Sequence, residues 1–282
     1  MSVATFKPEV WSAVLLSSLK KALVFGGVVN RNYEGEISEF GDTVRINSVS
    51  RPTIATYTPN STSISPETLT TASRSLLIDQ AKYFAFEVDD VDARQVRGDL
   101  IPEAMSESAY GLGDVADQFL AGLYTGVDSG NNLETVGVKT TEPTDAYDDI
   151  LVPLKVVLDE SNVPTEARWV VIPPWMHGRL LRDDRFIRAD ASGMAAASVT
   201  GEVGRAAGFR VLVSNNCPNP TEDHNVVIAG YPGAITFAQQ ISKVEAYRPE
   251  NSFSDAIKGL HLYGAKLVRP DGIAVATANP TP

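Results

Sequence analysis

The stretch from residue 42 to residue 88 limits the fold more than any other feature. DTVRINSVSRPTIATY (42–57) and TLTTASRSLLIDQAKYFAFEV (68–88) read as two long extended runs, with β-branched and aromatic residues recurring along them. The segment between and around them, TPNSTSISPETLTTASRS, is rich in Ser and Thr and poor in large apolar side chains. A hairpin of this composition cannot build a core of its own, and isolated hairpins are marginal in water. It must be held by a surface outside itself. That is odd in a lone globular enzyme and is what an intersubunit arm needs.

The remainder mixes helices and short strands. Residues 8–25 read as an amphipathic helix. Pro8 suits a first helical position and Glu9 the positive end of the dipole, while Trp11, Val14, Leu15, Leu19 and Ala22 share a face that Ser18 interrupts. Gly26-Gly27 ends this helix. Residues 89–124 read as helix in two parts, with Pro102 at a kink or fresh start and Met105, Ala109, Leu112, Ala116, Phe119, Leu120 and Leu123 on one stripe. Residues 144–161 form another amphipathic stretch, which Pro153 kinks or restarts. RWVVIPP reads as a buried strand, and Pro173-Pro174 open a short helix, WMHGRLLRDD. GEVGRAAGFRVLVSNN reads as a helical turn followed by a strand, and NVVIAG and AITFAQQI as short strands. KGLHLYGAKLV-RPDG-IAVATA reads as a closing β-hairpin with Pro270 and Gly272 in its turn. No regular βαβ repeat emerges, so the expected class is α+β.

With 282 residues, 43% hydrophobic and 21% charged, the chain can bury a core for one large domain or two modest ones. No run of about 18 apolar residues is present, so no membrane span is expected. MSVATFKPEVW lacks a basic region followed by an apolar stretch, so no secretory signal is expected either. Cys217 is the single cysteine, which rules out an intrachain disulfide and fits a reducing cytosol or an assembly whose strength comes from elsewhere. The net charge of -11 is the opposite of a phosphate-gripping footprint. Residues 1–33 nevertheless carry Lys7, Lys20, Lys21 and Arg31 against Glu9 alone. A basic arm on an acidic body suits docking on an acidic neighbour.

Nothing in the chain points to catalysis. His177, His224 and His261 do not pair at metal-ligand spacing, and neither HExxH nor CxxC occurs, so no metal is expected. Cys217 lies seven residues before His224, but closeness in sequence supplies neither a base nor an electropositive setting. It reads as a buried or idle thiol. Gly201, Gly204 and Gly208 match neither phosphate-loop spacing and precede a strand, so they read as turn glycines. The carboxylate pairs Asp148/Asp149 and Asp183/Asp184 read as solvated faces or helix-dipole partners. No catalytic, cofactor-binding or metal residue is assigned.

Taken in order, several stretches resemble one family. FKPEVWSAVLLSSLKKALVFGGVVNRNYEGEISEFGDTVRINSVSRPTIATY resembles the N-terminal and first extended arms of tailed double-stranded-DNA phage major capsid proteins. FEVDDVDARQ followed by EAMSESAYGLGDVADQFLAGLY is similar to their long spine helix and its entry. RWVVIPPWMHGRLLRDDRFIRADASG and GEVGRAAGFRVLVSNN resemble their axial domain, and GLHLYGAKLVRPDGIAVA their closing strands. The resemblance implies the Hong Kong 97 fold, with an N-terminal arm at 1–41 and an extended β-hairpin loop at 42–86. It implies a peripheral domain with the spine helix at 87–143 and 251–282, and an axial domain at 144–250. It implies subunits that form pentamers and hexamers of an icosahedral shell around packaged DNA, assembled in a host cytoplasm and resident in the virion.

The implied partners are other copies of the chain, a portal protein at one vertex, a possible decoration protein, and DNA through weak, non-specific contact. The arm follows Met1 directly, which implies a separate scaffolding protein. The loop stretch 46–80 holds no lysine, so covalent cross-linking through a loop lysine is not expected. Candidate intersubunit residues are Trp11, Lys20 and Lys21 on the arm, and Arg51 and Arg74 flanking the loop tip. Two other readings stand beside this one: an encapsulin-like compartment with the same fold, and a soluble α+β enzyme with a polar pocket.

Overall fold

The computed structural model describes residues 24–33, 43–49, 52–59, 66–68, 71–89, 100–139, 141–142, 144–183, 204–221, 223–249 and 254–281. Three sheets and three α-helices make up the described residues, in keeping with the α+β expectation. Strands β1 (Thr43–Val49) and β2 (Thr71–Leu77) form an antiparallel hairpin. Strands β3 (Gln80–Asp89), β10 (Ser254–Leu267) and β9 (Ile235–Tyr247) form a second sheet, in the order β3-β10-β9. The third sheet has six strands in the order β4-β11-β8-β5-β7-β6. These are β4 (Asn132–Lys139), β5 (Trp169–Ile172), β6 (Arg205–Ala206), β7 (Phe209–Val213), β8 (Asn225–Gly230) and β11 (Ile273–Thr281).

Helix α1 (Leu100–Gly122) carries Met105, Ala109, Leu112, Ala116 and Leu120 at helical spacing, and all five are buried. Its first half packs on Phe84, Phe86, Val244 and Ile257 of the three-stranded sheet. Its second half meets Phe25, Phe237 and Tyr263. Pro102 falls in the first described turn, where its missing N–H costs nothing.

The central strands β5, β8 and β11 of the six-stranded sheet are buried on both faces. Along β5, Val170 and Ile172 enter one core and Trp169 and Val171 the other. Along β11, Ala274, Ala276 and Ala278 alternate in the same way with Ile273 and Val275. The first face is covered by a π-helical segment (Ala146–Leu151), by α2 (Val152–Glu160) and by α3 (Pro174–Leu180). Pro153 is the second residue of α2, just past the π-helical segment, where a proline cannot donate back to the preceding turn of a regular helix.

Three expectations change. Strands β10 and β11 do not pair as a hairpin: the turn at Pro270–Gly272 sends them into different sheets. Residues 273–276 are buried on both faces, so β11 lies inside the sheet, parallel to β4 and antiparallel to β8. The described part of GEVGRAAG is a β6–β7 hairpin where a helical turn was expected. Ala207 (φ 50) and Gly208 (φ 85) form a two-residue turn with both central residues at positive φ, which matches strand twist. Sheet membership also crosses the expected domain boundaries, because β4 and β11 join the strands of 144–250 while β9 joins β3 and β10.

The hairpin root crosses β10. Leu76 and Ile78 are fully buried there with Ala238 and Leu262. A Cβ at Gly264 would fall inside van der Waals contact of the Leu77 carbonyl oxygen, a backbone atom that no side-chain rotation can move. Gly111 of α1, by contrast, has nothing within 4 Å of its Cβ position. Gly264→Ala is therefore expected to destabilise the subunit by about 1–3 kcal/mol. Gly111→Ala is expected to stabilise it by about 0.5–1 kcal/mol. Thermal unfolding of unassembled subunits checks both signs.

His261 is fully buried beside the Tyr263 ring, and neither ring nitrogen has a hydrogen-bond partner among the described residues. Burial first, and the Arg31 charge second, push its pKa down from 6.5 to about 4. The unfolded chain therefore takes up this proton at higher pH than the folded one. Stability from this group is full above pH 6.5 and falls as pH drops towards about 4, by about 3 kcal/mol across the window. His261→Leu should flatten the slope of stability against pH between those limits, and denaturant titrations at several pH values measure it.

Candidate functional site: intersubunit surfaces

Two features stand out among the described residues: the hairpin beyond its ladder and the docked N-terminal turn. Past the ladder, residues 52–59 belong to no strand or helix and are all exposed. Ile54 is 84% and Tyr57 62% exposed, although each carries enough apolar area to favour burial. Glu67 accepts a hydrogen bond from the Thr53 N–H (2.9 Å), tying the two limbs of the loop together. The hairpin is thus anchored at its root, and its described residues beyond the ladder, 52–59 and 66–68, are exposed.

The N-terminal turn is held by a buried carboxylate. Phe25–Gly27 form a 3-10 turn, and the Phe25 N–H donates to Asp117 Oδ1 at 2.7 Å. Asp117 lies on the buried side of α1 and is 1% exposed. Its Oδ2 accepts from Asn216 Nδ2 (3.1 Å), which also donates to Asp114 (2.8 Å). Burial pushes the Asp117 pKa up, and hydrogen bonds from Asn216 and the backbone of residues 24–26 pull against it. Phe25, Val28 and Val29 are buried, with Phe25 edge-on to the Trp169 ring. Asn30 then adds to β9 as a one-residue parallel bridge, accepting from the Phe237 N–H (2.9 Å) and donating to the Ile235 carbonyl (3.0 Å). Carboxylate, apolar side chains and bridge together fix where the arm leaves the body.

Among the sequence candidates, Trp11, Lys20, Lys21 and Arg51 lie outside the described residues. Arg74 sits opposite Ile46 within the hairpin ladder, and its Nη1 donates to the Leu267 carbonyl at 3.3 Å. The contact described for Arg74 is therefore with its own body. Asp117 was missed, although its signal was legible as a carboxylate inside the apolar stripe of a helix.

The groups with catalytic chemistry are set apart. The buried Cys217 thiol donates to the Ser214 carbonyl (3.3 Å). Burial, and then the Asp117 charge, push its pKa up to about 12, so it stays protonated. Among the described residues no group of three or more His, Cys, Asp or Glu could hold a metal ion. No described helix is long and apolar enough to cross a membrane.

The family model described as "Phage capsid protein" matches residues 73–276. A solved structure from Mycobacterium phage Che8 is 37% identical, covers 90% of each chain and superposes with a TM-score of 0.71. The capsid structure of the cyanophage P-SCSP1u shares the fold at 18% identity and TM-score 0.68, over 90% of this chain and 86% of that one. The encapsulin of Synechococcus elongatus shares the fold at 13% identity and TM-score 0.59, over 85% and 83%. No curated protein matches. The matched family, together with a body that leaves a hairpin uncovered at its tip, settles the assignment: this chain belongs to the phage capsid protein family and is a subunit of the viral shell.

Proposed function

We propose that the subunit forms pentamers and hexamers, which close an icosahedral head around double-stranded DNA. The observation that carries this reading is the hairpin with a buried root and an apolar, exposed tip. Such a tip gains by docking on a second copy. Repeated modest contacts around closed symmetry then give a cooperative shell. The function is geometric and needs no bond-making by the subunit. A separate scaffolding protein, a portal at one vertex and a decoration protein are the further partners of this reading. Trp11, Lys20, Lys21, Arg51 and Arg74 remain its candidate contact residues.

In this reading the three-stranded sheet with α1 forms the peripheral part. The six-stranded sheet with α2 and α3 forms the axial part, and the core around Phe25, Trp169 and Tyr263 joins them. The compartment alternative rests on a likeness of 13% identity. The phage reading rests on 37% identity over 90% of the chain.

Negative-stain microscopy of the protein, alone and with its neighbouring genes, tests the reading. Closed shells are expected, and a stable monomer or dimer under every condition would overturn it. Replacing Ile54 and Tyr57 together by Ser should lower shell yield while the free subunit melts as wild type. Asp117→Leu leaves the Phe25 N–H without its acceptor, and should cost about 1–3 kcal/mol. It should also speed proteolytic cleavage within residues 24–33, which mass spectrometry of limited digests would show.

A further inference from the structure

Two arginines face each other across the β6–β7 hairpin: Arg205 is the direct partner of Arg210. Like charges placed opposite in a ladder destabilise it. Both are exposed, and neither has an ion pair or side-chain hydrogen bond among the described residues. They line a cleft of about 450 Å³ together with Thr165, Glu166, Gly27 and Val28. The third arginine of the cleft is already committed. Arg168 pairs with Asp159 (2.6 Å) and donates to the Val163 and Pro164 carbonyls (2.6 and 2.9 Å), which fixes the 161–168 loop as one wall. Two uncompensated cations on a preformed wall call for an anionic partner.

The complementary charge lies on the far edge of the same sheet. Among the described strands, β6 is one edge and β4 the other. At the end of β4, Glu142, Asp145 and Asp149 surround Lys139, and Glu142 pairs with it at 3.0 Å. Arg179 of α3 reaches the same edge but is engaged with the Val138 carbonyl. Five strand spacings, roughly 24 Å, separate the two edges. That exceeds two Debye lengths at physiological salt, so one copy cannot neutralise itself. We propose that the Arg205–Arg210 pair of one subunit docks against the Glu142–Asp149 edge of the next copy in a head-to-tail ring. The contact would steer copies together despite a net charge of -11 on each.

The inference rests on the shell-forming reading, which wild-type particles test separately in the same experiment. R205E with R210E should cut the yield of closed shells about tenfold or more, because two pairs of like charge then meet. E142R with D149R should do the same. The four substitutions together should restore assembly to within about twofold of wild type, because the charges are exchanged and still complementary. Far-ultraviolet circular dichroism and thermal melting of each free subunit separate misfolding from failed docking. Wild-type shell yield in either double variant would overturn the proposal. So would failure of the combined variant to recover when it melts as wild type. Normal shells with reduced DNA content in R205E/R210E would overturn it in favour of a phosphate partner.

Discussion

The structure depends on how closely strand β10 can be approached. It pairs with β3 along Ser254–Tyr263 and with β9 along Ala256–Leu267, and the hairpin root approaches it at Gly264, just past the end of the β3 ladder. Its odd residues, such as Ile257 and Tyr263, face the core under α1. Leu262 and Gly264 face the hairpin root. Two positions must lack a side chain. At Gly259 the Phe84 ring lies where a Cβ would stand, and at Gly264 the Leu77 carbonyl does. The first lets Phe84 stack beside Phe86 beneath α1, and the second lets the hairpin leave the body at a fixed angle. An arm that reaches a neighbour is useful only if its root cannot swing. Backbone contact at Gly264 and burial of Leu76 and Ile78 supply that constraint.

Much of this was legible in the sequence. The Met105–Leu120 stripe marked α1, the two long extended runs marked β1 to β3, and the Ser/Thr-rich segment marked an arm with no core of its own. Strand pairing was not legible. RPDG looks like a hairpin turn, yet the partners of β10 and β11 are decided by which faces are buried, and Ile273–Ala276 satisfy two cores at once. The domain boundaries drawn from the sequence run through two sheets for the same reason. Of the site, the uncovered hairpin was legible from composition. The Asp117 clamp joins residues 92 apart and the Arg205–Arg210 pair depends on a two-residue turn, so neither follows from spacing alone.

Two buried ionisable groups near the arm respond oppositely to acid. His261 is held neutral by burial, so its contribution weakens as pH falls from 6.5 towards about 4. Asp117 has a raised pKa, so protonation favours the folded state and its contribution grows as pH falls through that raised value. The two slopes offset each other in part. Both groups face the N-terminal segment, Asp117 through the Phe25 N–H and His261 through the Arg31 charge. Acid therefore neutralises the carboxylate that accepts from this turn while it weakens the core at His261.

The placement of charge also bears on symmetry. An isologous contact through the β6 edge would set one Arg205–Arg210 pair against another, with Glu166 the only described carboxylate lining that cleft. Such a pairing is repulsive and would close at a dimer. A heterologous contact instead sets unlike edges together and leaves each copy with one free edge of each sign. That arrangement terminates only when a ring closes. Exposed ion pairs contribute little each, about 0–1 kcal/mol, so they cannot supply the affinity of a shell. In the proposed contact they decide which edge meets which, while the exposed Ile54 and Tyr57 offer apolar area for a neighbour to bury. In the proposed assembly, direction and adhesion thus reside in different parts of one chain, the first on the edges of the six-stranded sheet and the second on the loop beyond the two-stranded one.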